Sequence, residues 1–310
     1  MIVELRQVKR NRNQTRRMEV DEKTGTKPIL RTATNDYRRI CTGGRLGMLL
    51  KTFDIRQYPM NLEEIAKFHS ILIYSYIWKV TRMRLGCLFS GGKDSTYAIY
   101  ESMRHGHEIS CLLTLFPPSN ESLLFHFPNI CITPLVAKAL RLPHLVSSVK
   151  GTDLQCELEA VEGLINQARS HYHIEGILHG GISSRFQDSN FSMCCSKYGL
   201  RVVSPLWGKP AIKLMRELVS NGFKTLITSV STMGLDQYWL GKIIDEKVLE
   251  RLIELSDRNH FNLNFEGGEA ETLVLDSPVH HEIVDVTESE IQWDGQRGIF
   301  KITSVGLKSK

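Results

Sequence analysis

The sequence predicts an α/β fold: an open, mostly parallel sheet with helices on both faces, followed by a smaller β-containing C-terminal portion. Three observations predict it. From Met83 onward, short apolar runs alternate with segments of helical period. The first run, Leu85–Phe89, leads through Ser90-Gly91-Gly92-Lys93-Asp94-Ser95 into a helical stretch, Ser95–Arg104. After Asn259 the helical period stops and short strand-like segments follow.

The elements follow in order. Residues 1–45 are rich in Arg, Asn and Thr without a sustained period, so no ordered element is expected there. Asn61–Val80 places Leu62, Ile65, Phe68 and Ile71–Ile73 at a spacing suited to one amphipathic helix. Met83 stands just before the first strand, which makes it the expected natural start and 1–82 an upstream extension. A basic arm for RNA or ribosome contact is the alternative. Parallel strands are expected at Leu85–Phe89, Ile109–Leu115, His144–Val149, Gly176–Leu178, Arg201–Ser204 and Thr225–Ser229. Helices are expected at Ser95–Arg104, Pro134–Leu140, Leu154–His171, Ser183–Tyr198, Pro210–Ser220 and Asp245–Asn259. The closing segments are Thr272–Leu275, Glu282–Val286, Glu290–Trp293 and Gly298–Val305.

Composition narrows the classes. A hydrophobic content of 42% and 24% charged residues are ordinary for a globular chain of 310 residues. Of 39 Lys/Arg and 34 Asp/Glu, 17 and 8 fall in residues 1–82, leaving 22 and 26 in the rest. The body is therefore mildly acidic, and no nucleic-acid surface is implied. Seven cysteines include no C-x-x-C pair, which excludes a zinc ribbon or a thioredoxin-like motif and fits a reducing cytoplasm. The strongest apolar run, Ile71–Trp78, is too short for the roughly 20 residues of a membrane span.

The chemistry centres on Ser90–Ser95. A strand, a glycine turn and a helix N-terminus aim backbone N–H groups at one point, an arrangement suited to phosphate. Gly91 and Gly92 permit close approach, Lys93 supplies a point charge that meets phosphate and little else, and Ser90 and Ser95 supply hydroxyls. It is not a Walker A loop, because Gly92 stands where that motif has lysine. Three further stretches follow strands: His126-Phe127-Pro128-Asn129-Ile130, Gly180-Gly181-Ile182-Ser183-Ser184 and Ser204-Pro205-Leu206-Trp207. Ligands of open α/β sheets sit at the carboxyl ends of strands, so these should converge on the loop. Glu266-Gly267-Gly268-Glu269-Ala270-Glu271-Thr272 is either a solvated acidic turn or a site where ionised carboxylates bind Mg²⁺ or a cationic group.

The loop Ser90–Ser95, Phe127–Ile130, Pro205-Leu206-Trp207, Trp239–Asp245, Glu266–Thr272 and Val274-Leu275-Asp276-Ser277-Pro278 together resemble the diphthine–ammonia ligase family, over residues 83–310. Its archaeal single-domain form is the closer match. The resemblance implies the PP-loop ATP pyrophosphatase fold (adenine nucleotide alpha hydrolase-like), with a PP-loop ATP-binding domain at 83–230 and a C-terminal substrate-binding portion at 231–310. It implies ATP-dependent amidation of diphthine on translation elongation factor 2 with free ammonium, yielding AMP and pyrophosphate. The cofactors implied are ATP and Mg²⁺. Ser90, Gly91, Gly92, Lys93 and Ser95 would grip pyrophosphate, and Lys93 and Asp94 would be catalytic, with Asp94 holding Mg²⁺. Gln187, Glu266, Gly267, Gly268, Glu269 and Glu271 would line the acceptor side. No membrane or stable nucleic-acid partner is implied, and a homodimer is left open.

The chain departs from the family in two places. The usual Tyr-Gln-x-x-Arg-x-Glu segment reads Phe186-Gln187-Asp188-Ser189-Asn190-Phe191-Ser192, and Ala270 replaces an aromatic. Two alternatives therefore stay open: a PP-loop enzyme with another substrate, such as a tRNA or a small carboxylate, and a non-catalytic nucleotide-binding module.

Overall fold

The computed structural model describes residues 82–117, 129–151 and 153–310, all of which belong to one compact unit. The extension up to residue 81, with the helix expected at Asn61–Val80, lies outside the described residues, as do Phe127 and Pro128.

Five strands form the expected parallel sheet: β1 (Arg84–Leu88), β2 (Glu108–Phe116), β3 (His144–Ser148), β4 (Gly176–Leu178) and β5 (Arg201–Val203), in the order β3-β2-β1-β4-β5. The crossovers carry α1 (Lys93–Arg104), α2 (Thr133–Leu140), α3 (Leu154–Tyr172) and α4 (Arg185–Ser196). Side chains alternate along each strand, so both faces need cover. Leu85, Cys87, Leu112 and Leu178 point into a core shared with Tyr97 and Ile99 of α1 and Val136 of α2. Leu88, Leu113, Leu115 and Ile177 point the other way, onto Val161, Leu164 and Ile165 of α3 and Cys194 and Cys195 of α4. The strand order reverses at β1, which opens a crevice between the carboxyl ends of β1 and β4.

The sixth expected strand belongs elsewhere. Thr225–Ser229 lies within β6 (Lys224–Val230), between α5 (Ala211–Ser220) and α6 (Glu246–Asn259), and joins an antiparallel sheet with β7 (Ala270–Asp276), β8 (Glu282–Trp293) and β9 (Gly298–Ser309), in the order β7-β6-β9-β8. β6 is central in that sheet and buried at six consecutive positions, so it reads as the same unbroken apolar run as a parallel strand. Glu282–Val286 and Glu290–Trp293 are one strand, β8. Its register with β9 shifts around Glu288, and the polar residues there read in sequence as a break.

The antiparallel sheet reaches the crevice through β7. The Val274 N–H donates to the Gly91 carbonyl at 2.9 Å, and the Lys93 N–H donates to Thr272 Oγ1 at 3.2 Å. The turn after β1 is thus bonded to a strand more than 170 residues further along the chain. From the opposite side, the turn after β4 presses on α1: a Cβ at Gly180 would lie 2.6 Å from the Asp94 carbonyl carbon and 2.7 Å from the Ser95 nitrogen. Neither backbone atom can yield cheaply. Gly163, inside α3, has nothing within 4 Å of the equivalent point.

These two glycines should respond in opposite ways. Gly180→Ala is expected to lower stability by about 1–3 kcal/mol through overpacking, and Gly163→Ala to raise it by up to about 1 kcal/mol through helix propensity. Urea denaturation of the two variants beside the parent measures both signs.

Candidate active site

The turn after β1 begins at Ser90 and passes through Gly91, whose φ of +78° lies in the left-handed region that favours glycine. Gly92 then caps α1 with no side-chain hydrogen bond at the helix start, so the dipole end of a 12-residue helix opens onto the turn. The hydroxyls of Ser90 and Ser95 sit 3.2 Å apart, and Ser90 Oγ also accepts from the Gly92 N–H at 3.3 Å. This is an anion-binding geometry.

One cavity gathers most of the expected residues. Ser90, Gly92, Lys93, Asp94 and Ser95 line one wall, Gly180, Gly181 and Gln187 a second, and Glu266 and Glu271 a third. Ile130 represents the stretch that follows β2. Pro205-Leu206-Trp207 does not reach it: Leu206 is fully buried and Trp207 exposed, and the Gly208 N–H after them donates to the Ile182 carbonyl. Trp239–Asp245 supports the second sheet, with Trp239, Leu240 and Ile244 buried in the core that this sheet shares with one face of the parallel sheet.

Lys93 differs from expectation. Its side chain is 2% exposed, and its Nζ donates to Asp94 Oδ2 at 2.7 Å and to the Asn264 carbonyl at 2.5 Å, with the Phe265 ring centroid 5.4 Å away. A buried ammonium needs acceptors, and the 262–271 loop provides one. Lys93 therefore has structural partners, not phosphate alone.

The acidic loop also differs. Glu269 does not line the cavity: its Oε1 accepts from the Asn262 N–H at 3.1 Å and its Oε2 from the Gly267 N–H at 2.9 Å, so it braces its own turn. Gly267 and Gly268 are likewise turn residues, Gly268 at φ +81°. Glu266 Oε1 accepts from the N–H groups of Ile182 and Ser183, each at 2.8 Å, and Oε2 from Ser183 Oγ at 2.5 Å. Burial pushes the Glu266 pKa up, but the hydrogen bonds from Ser183, Ile182 and Ser184 outweigh it and hold the carboxyl below its ordinary value.

The sequence reading missed His179. It follows β4, is 2% exposed and lines the cavity. The Gly181 N–H donates to its Nδ1 at 3.1 Å, which leaves the ring proton on Nε2, 3.3 Å from Asp188 Oδ1. The hydrogen bond from His179 lowers the Asp188 pKa. The available signal was position alone: a histidine at a strand's carboxyl end, next to a glycine pair. Asn190, at the usual arginine position, donates from Nδ2 to the Phe186 carbonyl on its own helix, and Ser192 is exposed.

Fold and site together define an α/β protein with an anion-binding PP-loop at its topological switch point and an acidic loop delivered by a second sheet. The family descriptions "Diphthamide synthase N-terminal domain" and "Diphthamide synthase C-terminal domain" match residues 83–202 and 210–307. The diphthine–ammonia ligase of Homo sapiens is 31% identical over 227 residues, covering 67% of this chain and 85% of that protein. That of Danio rerio is 29% identical, covering 68% and 90%, and that of Saccharomyces cerevisiae 27% identical, covering 66% and 35%. The chain belongs to the diphthine–ammonia ligase family.

Two substitutions test this geometry. Lys93→Ala leaves Asp94 and the Asn264 carbonyl without their cation and should lower stability by about 2 kcal/mol, a buried-pair loss discounted because Asp94 is 30% exposed. A thermal or urea transition unchanged from the parent would show that Lys93 does not hold the two loops together. Glu266→Gln should cost about 1–2 kcal/mol at neutral pH. Glu266 has a depressed folded-state pKa, so its contribution is present above the unfolded value near about 4.3 and fades as pH falls through the folded one. The gap between parent and variant should therefore narrow as pH falls below the unfolded value and close once the folded-state carboxyl is protonated, as urea titrations at stepped pH would register.

Proposed function

We infer that this protein amidates diphthine on translation elongation factor 2, joining ammonium to the diphthine carboxylate with conversion of ATP to AMP and pyrophosphate. Family membership supports the ligase chemistry. The observation that carries the reading to this chain is that the PP-loop and Glu266 and Glu271 face one cavity.

A carboxylate does not condense with ammonia in water, so its oxygen must become a leaving group. Attack on the α-phosphorus of ATP achieves this and releases pyrophosphate, and catalysis is largely positioning and charge neutralisation. Ser90, Ser95 and the first-turn amides of α1 beyond Lys93, whose N–H is taken by Thr272, would hold the departing pyrophosphate. Lys93 would add positive potential from below the turn while fixing the acidic loop. Gln187 and Glu271 would orient the acceptor, with Glu271 toward the trimethylammonium group or the incoming ammonium.

Among the described residues no group of three or more His, Cys, Asp or Glu is placed to hold a metal by itself. That suits Mg²⁺, which binds through one or two carboxylates plus phosphate oxygens and keeps several waters. Asp94, 30% exposed at the cavity wall, is the carboxylate that would hold it. Held there, the cation would supply further neutralisation of the pyrophosphate charge. A tRNA-thiolating reading needs reactive thiols. Burial pushes Cys194 up to about 11 and Cys195 up to about 12, which keeps both protonated at neutral pH. Among the described residues no helix is long and apolar enough to cross a membrane. A translation factor as substrate supports a cytoplasmic reading.

The test supplies purified protein with ATP, ammonium and elongation factor 2 taken from cells that stop at diphthine. The expected outcome is one AMP per amide formed, with the mass change of OH replaced by NH₂ on the modified histidine. ATP turnover without that mass change would overturn the assignment of substrate.

A further inference from the structure

His179 joins three structural elements. It closes β4, its Nδ1 takes the Gly181 N–H at 3.1 Å, and its Nε2–H faces Asp188 of α4 at 3.3 Å. Its ring meets Phe191, one turn further along α4, edge-on at 5.3 Å. A Cβ at Gly181 would lie 2.8 Å from Nδ1, so the turn rests directly on the imidazole. One residue earlier, Gly180 rests as closely on the Asp94–Ser95 backbone at the start of α1. A continuous series of contacts thus runs from Asp188 through His179 and Gly181 to Gly180 and the phosphate-facing end of α1.

We propose that His179 is a positioning residue for nucleotide: by accepting from the Gly181 N–H, with its ring oriented by Asp188, it sets the distance between the two loops that flank the switch point. This rests on the reading of the cavity as an ATP site. A residue that accepts at Nδ1 and donates at Nε2 does what no apolar ring of the same size does, because only the imidazole fixes both the turn and the helix. The segment around Asn190 and Ser192 therefore has a hydrogen-bonding anchor, Asp188, directed at the His179 ring that holds the β4 turn. The fold-level consequence is a nucleotide-binding gap whose width is held by a hydrogen bond and not by packing alone.

The test begins with the parent protein, whose ATP KM and AMP formation establish the cavity reading independently. His179→Phe keeps an aromatic ring against Phe191 and removes both polar contacts; it should raise the ATP KM about tenfold or more while kcat changes less than about threefold. His179→Asn, whose Oδ1 stands near the place of Nδ1, should recover the ATP KM to within about threefold of the parent. An unchanged ATP KM in His179→Phe, a loss confined to kcat, or an Asn variant no better than the Phe variant would each overturn the proposal. Should His179→Phe not fold, ¹⁵N shifts of the imidazole in the parent decide the matter: an unprotonated Nδ1 is expected, and an Nδ1–H tautomer overturns the proposal.

Discussion

The structure depends on the bonds that tie the turn after β1 to β7 and to the loop before it. The Gly91 carbonyl accepts from Val274, the Lys93 N–H donates to Thr272, and Lys93 Nζ reaches the Asn264 carbonyl. An anion-binding turn needs its backbone amides directed at ligand, and its remaining polar groups still need partners away from water. The second sheet provides them. In doing so it brings the Glu266–Thr272 loop to the same opening, so the contacts that satisfy the turn also bring Glu266 and Glu271 to the cavity it lines.

Charge is handled in the same manner throughout the cavity. Burying an ionised group without partners is costly, and each charged group with known contacts here is held by groups from another element or by its own loop. Glu266 accepts from the β4 turn; Glu269, outside the cavity lining, accepts from its own loop; and Lys93 donates to Asp94 and to the Asn264 carbonyl. The loops around the cavity are therefore fixed by polar contacts before any ligand arrives, the condition for electrostatic stabilisation without reorganisation. The two cores on either side of the parallel sheet keep its strands rigid beneath them.

The parallel strands and their helices were legible in the sequence because burial on both faces leaves an unbroken apolar run bounded by turn residues. The same signal placed Thr225–Ser229 in the wrong sheet: an apolar run records burial but not the partner that causes it. The PP-loop was legible because its glycines, lysine and serines act close together in the chain. Contacts across the fold were not. Lys93 meets Asn264 at a separation of 171 residues, and Glu266 meets Ser183 at 83. His179 and Asp188 are nine residues apart but join a strand end to a helix, and neither residue type signals such a pair by spacing. The glutamates read as one acceptor set separate in the structure, with Glu269 turned to its own backbone and Glu271 on the cavity wall.

The central claim is that one cavity brings an acceptor carboxylate to the α-phosphorus of ATP. Its direct measurement is the fate of oxygen when elongation factor 2 carrying ¹⁸O in the diphthine carboxylate is amidated with unlabelled ATP and ammonium. Mass spectrometry of the nucleotide products should find ¹⁸O in AMP, since the amidation step transfers that oxygen to the α-phosphate. Label in inorganic phosphate, accompanied by ADP, would place the attack at the γ-phosphorus and contradict the account.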